Sequence, residues 1–246
     1  SRANIKATLH AFWEWLKRRE VIRPEQVPNF PSVDYTLRWR KIIDKETQQK
    51  ILDEVYKLTK EKNIKIWIAL KWLSTYISIR PKELLSIKEG DFDFSLGGVF
   101  IRKTKEKKPK FVPLLKEDID LVRSFPPSFP HLYFFRHHKG YGGIKPGTKM
   151  ERDVLYRHWK KACKNLGIEG VDMYGGTRHS SAVDLRRFYS PEQIKNATMH
   201  STNKAFERYF QIQLEDIRKI YQTSSGKKLV KEFEPGKGTQ VIEIKR

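Results

Sequence analysis

Cysteine is nearly missing from this chain: Cys163 is the only one in 246 residues. A lone thiol makes no internal disulfide and no Cys-cluster metal site, so the sequence reads as that of a protein of a reducing, intracellular compartment. Long apolar runs are also missing. The best stretch, Ile66 to Leu73, is interrupted by Lys71 and falls short of the roughly 18 apolar residues that a membrane span needs. The opening SRANIK has no apolar signal core. Acidic residues are scarce against basic ones, 29 against 50, which leaves a net charge of +21. That imbalance excludes a basic partner and calls for a polyanion, with double-stranded DNA first and a membrane surface the weaker alternative. What is present is core material: six Trp, ten Tyr and fourteen Phe within a chain that is 38% hydrophobic. Such a composition excludes a disordered polymer and supplies a sizeable hydrophobic interior.

The first 38 residues do not make a domain of their own. Ala3 to Glu20 carries Ile5, Leu9, Phe12, Trp13 and Leu16 at near-helical spacing, and Val21 to Arg38 has Pro24, Pro28 and Pro31 with no periodicity. This reads as one amphipathic helix, the last of an upstream domain, followed by a linker. The main domain is expected over residues 39–223, with a tail over 224–246. Asp44 is placed to cap a helix with Ile51, Leu52, Val55 and Leu58 on its apolar face, ending before Asn63. Ile64 to Ile77 is apolar nearly all round and is expected at the centre of a bundle, delivering Arg80 at its end, where Pro81 opens a short helical turn. Beyond Gly90 the period changes to two: Val99, Ile101 and Lys103 alternate with Phe100 and Arg102 after a Gly97-Gly98 turn, and a second strand is expected at Lys110 to Pro113. Ser124 to Thr148, rich in Pro, Gly, His and aromatics, reads as a long surface connection with one ordered piece at His131 to Phe135. Leu155, Trp159, Ala162, Cys163 and Leu166 mark a helix stopped by Gly167. Further helices are expected over Arg178–Arg187, Pro191–Ala197, Asn203–Phe210 and Leu214–Gln222. The fold class is mainly α with a small antiparallel β-sheet (α+β).

Three fragments carry the chemistry: Ser78-Ile79-Arg80-Pro81-Lys82-Glu83-Leu84, Thr177-Arg178-His179-Ser180-Ser181-Ala182, and Met199-His200 with Tyr209 nine positions further on. In that order they resemble the catalytic boxes of the tyrosine recombinase (phage integrase) family. A lysine eight positions before the proline of a Val-Pro-Leu strand, here Lys105 before Pro113, extends the similarity, which covers roughly residues 40–222. The resemblance implies the family's catalytic-domain fold and site-specific recombination, in integration or excision, through a 3′-phosphotyrosyl intermediate. The catalytic set it implies is Arg80, Lys105, Arg178, His200 and Tyr209. Physical chemistry fits those roles: two permanently charged forks for the phosphate oxygens, a phenol nucleophile, and an ammonium acid for the departing 5′ oxygen. Glu83 matches the acidic residue that braces the second box. The pattern departs at Gly175, where the family usually has His; Tyr174 and His179 flank that position as neighbours able to reach the same site. The resemblance also implies a truncated core-binding domain over residues 1–38, a homotetramer on synapsed DNA, and an intersubunit docking role for the tail around Gln240-Val-Ile-Glu-Ile.

DNA contacts are expected from Lys103, Lys107, Lys108 and Lys110 on the hairpin, from Arg136, and from the outward face of the Trp159 helix, Arg157, Lys160, Lys161 and Lys164. His137 and His138 are adjacent, point apart in extended chain and lack a third ligand, so they read as loop or DNA contacts. Neither a metal nor a cofactor is expected. A DNA-bending accessory protein is a possible partner, and the setting is a prokaryotic cytoplasm at the nucleoid. The alternatives are a type IB topoisomerase or telomere resolvase, which share the chemistry, and a catalytically weakened DNA-binding protein on a recombinase scaffold. An RNA-binding module is more distant, since the aromatics are not displayed on a sheet.

Overall fold

Asp44 stands in extended conformation and its carboxylate accepts from the Thr47 amide at 2.7 Å, which starts the first helix of the main unit. In this computed structural model the described residues are 2–33, 40–104, 108–140 and 143–199, together with the backbone of 229–231 and 241–243. The chain divides into two compact units, residues 1–40 and 41–246. In the first, helix α1 (Arg2–Arg18) has no buried residue, and its His10 ring meets Phe30 edge-on. No helix among the described residues is long and apolar enough to cross a membrane.

In the second unit, α2 (Lys45–Asn63) buries Ile51, Leu52 and Val55 against α3 (Lys65–Thr75), whose Ile68, Ala69, Leu70 and Trp72 are wholly inaccessible. After the short α4 (Pro81–Leu84) comes an antiparallel sheet in the order β1 (Phe92–Asp93), β2 (Gly98–Ile101), β3 (Lys110–Pro113), with Val99 opposite Val112 and Ile101 opposite Lys110. Val99 and Ile101 enter the core, while Phe100 and Phe111 pair on the other face at 4.9 Å between ring centres. Gly97 takes the left-handed turn at φ 64°. Gly98, expected in that turn, is instead the first residue of β2, where a Cβ would lie 2.3 Å from the Phe111 ring. Helix α5 (Lys116–Arg123) follows, and α6 (Arg152–Asn165) packs on α2 and α3 through Leu155, Trp159 and Ala162. Cys163 is buried on the same helix, and desolvation pushes its thiol up to about 11.

The connection over 124–148 differs from the surface segment expected. Phe134 and Phe135 are fully buried, and Phe134 stacks at 6.1 Å and 9° on Trp72 of α3. Isolated bridges from Lys88 to Tyr133 and from Arg136 to Lys149 flank these two rings. The core takes these rings because α3 presents Trp72 and β1 presents Phe92 toward them.

A five-residue π-helix, Gly175–His179, runs directly into α7 (Ser180–Asp184), and α8 (Pro191–Thr198) follows after a short 3₁₀ turn. The helix expected to begin at Arg178 therefore begins earlier, in π geometry. Residues 229–231 (β4) and 241–243 (β5) pair antiparallel within the tail. The helices expected over Asn203–Phe210 and Leu214–Gln222 lie outside the described residues.

Candidate active site

Arg80 is the cap residue of α4, with φ −94° and ψ 153°, and Pro81 fixes the first helical position behind it. Glu83, three residues on, reaches back: one carboxylate oxygen accepts from the Arg80 amide at 3.0 Å and the other from its guanidinium at 3.1 Å. Glu83 is almost completely buried. A carboxylate there requires partners, and a third arrives from the sheet. Lys110 of β3 donates to Glu83 Oε2 and to the Ser78 carbonyl, each at 2.7 Å. The outward phosphate contact expected of Lys110 is not the orientation seen: its ammonium is turned inward. Burial pulls its proton affinity below the usual lysine value, Glu83 opposes that, and the charges of Arg80 and Arg178 add to the depression.

Arg178 is 1% exposed. Its Nη1 donates to the Tyr174 hydroxyl at 3.3 Å, and the Tyr174 ring lies 4.9 Å from that of His179. Gly175 is buried; its amide donates to the Asp172 carboxylate at 2.6 Å and its carbonyl accepts from the Ser180 hydroxyl at 2.7 Å. Of the two neighbours of Gly175, Tyr174 has its hydroxyl on the second arginine and its ring against His179. The two arginine segments are held together by a small apolar cluster of Ile77, Ala182 and Ile194 with Leu185 against it. Ile77 lies three residues before Arg80 and Ala182 four after Arg178, so burying these side chains brings both guanidinium groups toward Lys110. The same cluster anchors α8, which ends at Met199 in the left-handed region, immediately before His200.

His200 and Tyr209 lie outside the described residues, as do Lys105 and Lys107. The Thr104 hydroxyl donates to the Lys108 carbonyl at 2.6 Å. Lys103 and Lys108 are exposed on either side. Arg136 is engaged inside the protein, with Glu89, the Tyr133 carbonyl and the Ser128 hydroxyl. Arg157, Lys160, Lys161 and Lys164 stand exposed on α6, as its periodicity requires. Two of them, Arg157 and Lys161, border a cleft of about 520 Å³ together with Lys62, His137, His138 and His158. Burial, then neighbouring cations, lowers the proton affinity of both His137 and His138. Lys62 and His158 carried no sequence signal for this cleft, since they sit on different helices. Among the described residues no three His, Cys, Asp or Glu side chains converge as a metal site requires.

Replacing Tyr174 by Phe removes only the hydroxyl that Arg178 meets. If that contact orients the guanidinium, the reaction that Arg178 serves slows by about five- to ten-fold, the worth of one hydrogen bond. A single-turnover rate checks this, and an unchanged rate removes Tyr174 from the site.

The sequence profile of the phage integrase family matches residues 41–215. A Sinorhizobium fredii protein named integrase/recombinase y4rF is 32% identical over 114 residues, which is 44% of this chain and 26% of the relative's own length. Among solved structures, the fold is similar to the XerA recombinase (TM-score 0.55, 14% identity, 91% of this chain and 76% of that one). It is similar also to the Tn1549 transposon integrase in complex with a circular intermediate DNA (0.59, 16%, 90% and 78%). A lambda integrase dimer bound to a core site gives 0.61, 15%, 85% and 75%.

Proposed function

The chain belongs to the phage integrase family, and from its site we propose that it cuts and rejoins duplex DNA at specific sites by way of a covalent phosphotyrosyl enzyme. The observation that carries this reading is the convergence of Arg80 and Arg178, distant in sequence, around one buried Glu83–Lys110 pair. Two guanidinium forks that both act on the Lys110 ammonium suit the non-bridging oxygens of one phosphodiester and would stabilise the charge that builds there in the transition state. In the reaction the Tyr209 phenol oxygen attacks phosphorus, the bond to the 5′ oxygen breaks, and a 3′-phosphotyrosyl link forms. His200 assists removal of the phenolic proton, and Lys105 gives a proton to the departing 5′ oxygen. Attack by a 5′ hydroxyl from either duplex reverses the step, so the bond energy is conserved without a nucleotide cofactor.

Exposed cations at Lys103, Lys108, Arg157, Lys160, Lys161 and Lys164 supply sequence-independent attraction to the backbone, with Lys107 on the same hairpin. Synapsis by four copies, docking through the tail that contains β4 and β5, and a DNA-bending accessory protein are finer parts of the same proposal. So is action at the DNA of a prokaryotic cytoplasm.

The test is covalent trapping. Nicked suicide duplexes tiled across the ends of the element that encodes the protein are incubated with it, and the DNA-linked peptide is mapped by mass spectrometry. The expected adduct is on Tyr209. Salt-sensitive binding of every duplex with no adduct, or an adduct on another residue, overturns the assignment, the first outcome in favour of a DNA-binding scaffold.

A further inference from the structure

Arg178 stands in a π-turn, with one residue more per turn than an α-helix, a rare geometry that is found frequently at functional sites. On one side the turn is closed by packing. Gly176 has no side chain, and a Cβ there would lie 2.2 Å from the Trp159 ring and 2.8 Å from Val171. On the other side stands Gln48 of α2, a glutamine that is 1% exposed in the middle of a hydrophobic bundle. Its Nε2 has two hydrogens to share among three acceptors, the Gly176 carbonyl at 2.8 Å, the Ser181 hydroxyl at 3.0 Å and, longest, the Thr177 carbonyl at 3.2 Å. Its Oε1 accepts from Lys45 at 2.9 Å, which fixes which end of the amide faces the turn. The Thr177 carbonyl belongs to the same rigid peptide plane as the Arg178 amide. Hydrogen bonds to the Gly176 and Thr177 oxygens therefore restrain the peptide planes from which the Arg178 side chain departs.

We infer that Gln48 is a positioning residue for Arg178, and that its carboxamide holds the π-turn in the one geometry that aims the second guanidinium at the phosphate. This rests on the reading of Arg178 as a phosphate clamp. Nothing in the amphipathic pattern marks Gln48, since the neighbouring Gln49 is an ordinary exposed residue bonded to Asp53. The Gln48 amide gives up water entirely, and the backbone oxygens of the Arg178 turn are what it gains.

The experiment uses the full chain and the suicide duplex that gives the Tyr209 adduct, with four variants: Gln48→Met, Gln48→Glu, Arg178→Ala, and Gln48→Met with Arg178→Ala. Met keeps length and loses the donors; Glu keeps shape and turns an oxygen toward two carbonyls. Both single Gln48 variants are expected to form adduct about ten-fold more slowly while binding uncleaved duplex within about two-fold of the unmodified protein. On the Arg178→Ala background, Gln48→Met is expected to cost no more than about two-fold further, because its effect passes through the missing guanidinium. Unchanged adduct formation in both Gln48 variants, a parallel loss of binding and cleavage in both, or full additivity in the double variant overturns the inference while leaving Arg178 in place. An Arg178→Ala protein that cleaves normally overturns the clamp reading itself, and the inference with it.

Discussion

Arg178→Lys is expected to slow formation of the phosphotyrosyl adduct by roughly 10²–10³-fold, the usual cost of removing one preorganised donor from developing charge. The substitution keeps the formal charge, which makes it the informative one. Arg178 is buried to 1% exposure, with one Nη on the Tyr174 hydroxyl, and a guanidinium is a planar fork of donors that makes several directed bonds at once. A lysine is a single point of charge on a flexible stem, and it would lose its hydration in this site without regaining two directed bonds. Overall affinity for DNA is expected to change little. On the proposed function, binding rests on the net charge of +21 and on exposed cations on α6 and the hairpin, and one buried residue adds little to that field. Single-turnover adduct formation at saturating duplex, beside a salt titration of binding, separates the two. A lysine variant that cleaves within about three-fold of the unmodified protein would show that position 178 contributes charge alone.

Much of the fold could be read from periodicity because most elements have one buried face. The 3.6-residue spacing of Ile51, Leu52 and Val55 and of Leu155, Trp159 and Ala162, and the alternation through Val99 and Ile101, each point at the core that the structure shows. Asp44 was legible as a cap because its carboxylate acts on an amide three residues away. In the segment over 124–148 the ordered piece at His131 to Phe135 was legible but its burial was not, because Phe134 and Phe135 are adjacent and both buried, which neither period produces; they are decided by Trp72, far away in the chain. The same limit applies to polar residues. In a chain with 50 Lys and Arg, Lys110 and Arg136 look like any other phosphate contacts, and only the tertiary placement of Glu83 and Glu89 turns them inward. Gln48 and the π-turn it holds belong to this class too, since a buried glutamine and an exposed one are identical until the partner carbonyls are placed.

Glu83→Leu is expected to destabilise the protein by about 3–5 kcal/mol near neutral pH, the cost of leaving a buried cation without its counter-charge. The carboxylate holds the Arg80 amide, the Arg80 guanidinium and the Lys110 ammonium, and Lys110 cannot turn to water without leaving β3, since its side chain is 13% exposed and also bonded to the Ser78 carbonyl. The penalty carries a pH signature. Lys110 already holds its proton less tightly than the ordinary 10.5, burial being the cause and Glu83 the opposing influence. Removing Glu83 depresses that affinity further. Between the native value in the variant and the higher native value in the unmodified protein, the variant's unfolded chain binds a proton that its folded chain lacks, so its stability rises with pH. The deficit measured by urea denaturation is therefore largest near neutral pH and shrinks as the pH is raised toward about 10. Adding Lys110→Met to Glu83→Leu replaces the pair by apolar side chains, and is expected to recover part of the loss and abolish the pH dependence of the deficit. A deficit below about 1 kcal/mol, or one that does not vary with pH, would mean that Lys110 finds another partner and that the Glu83 bridge does not hold Arg80 to the sheet.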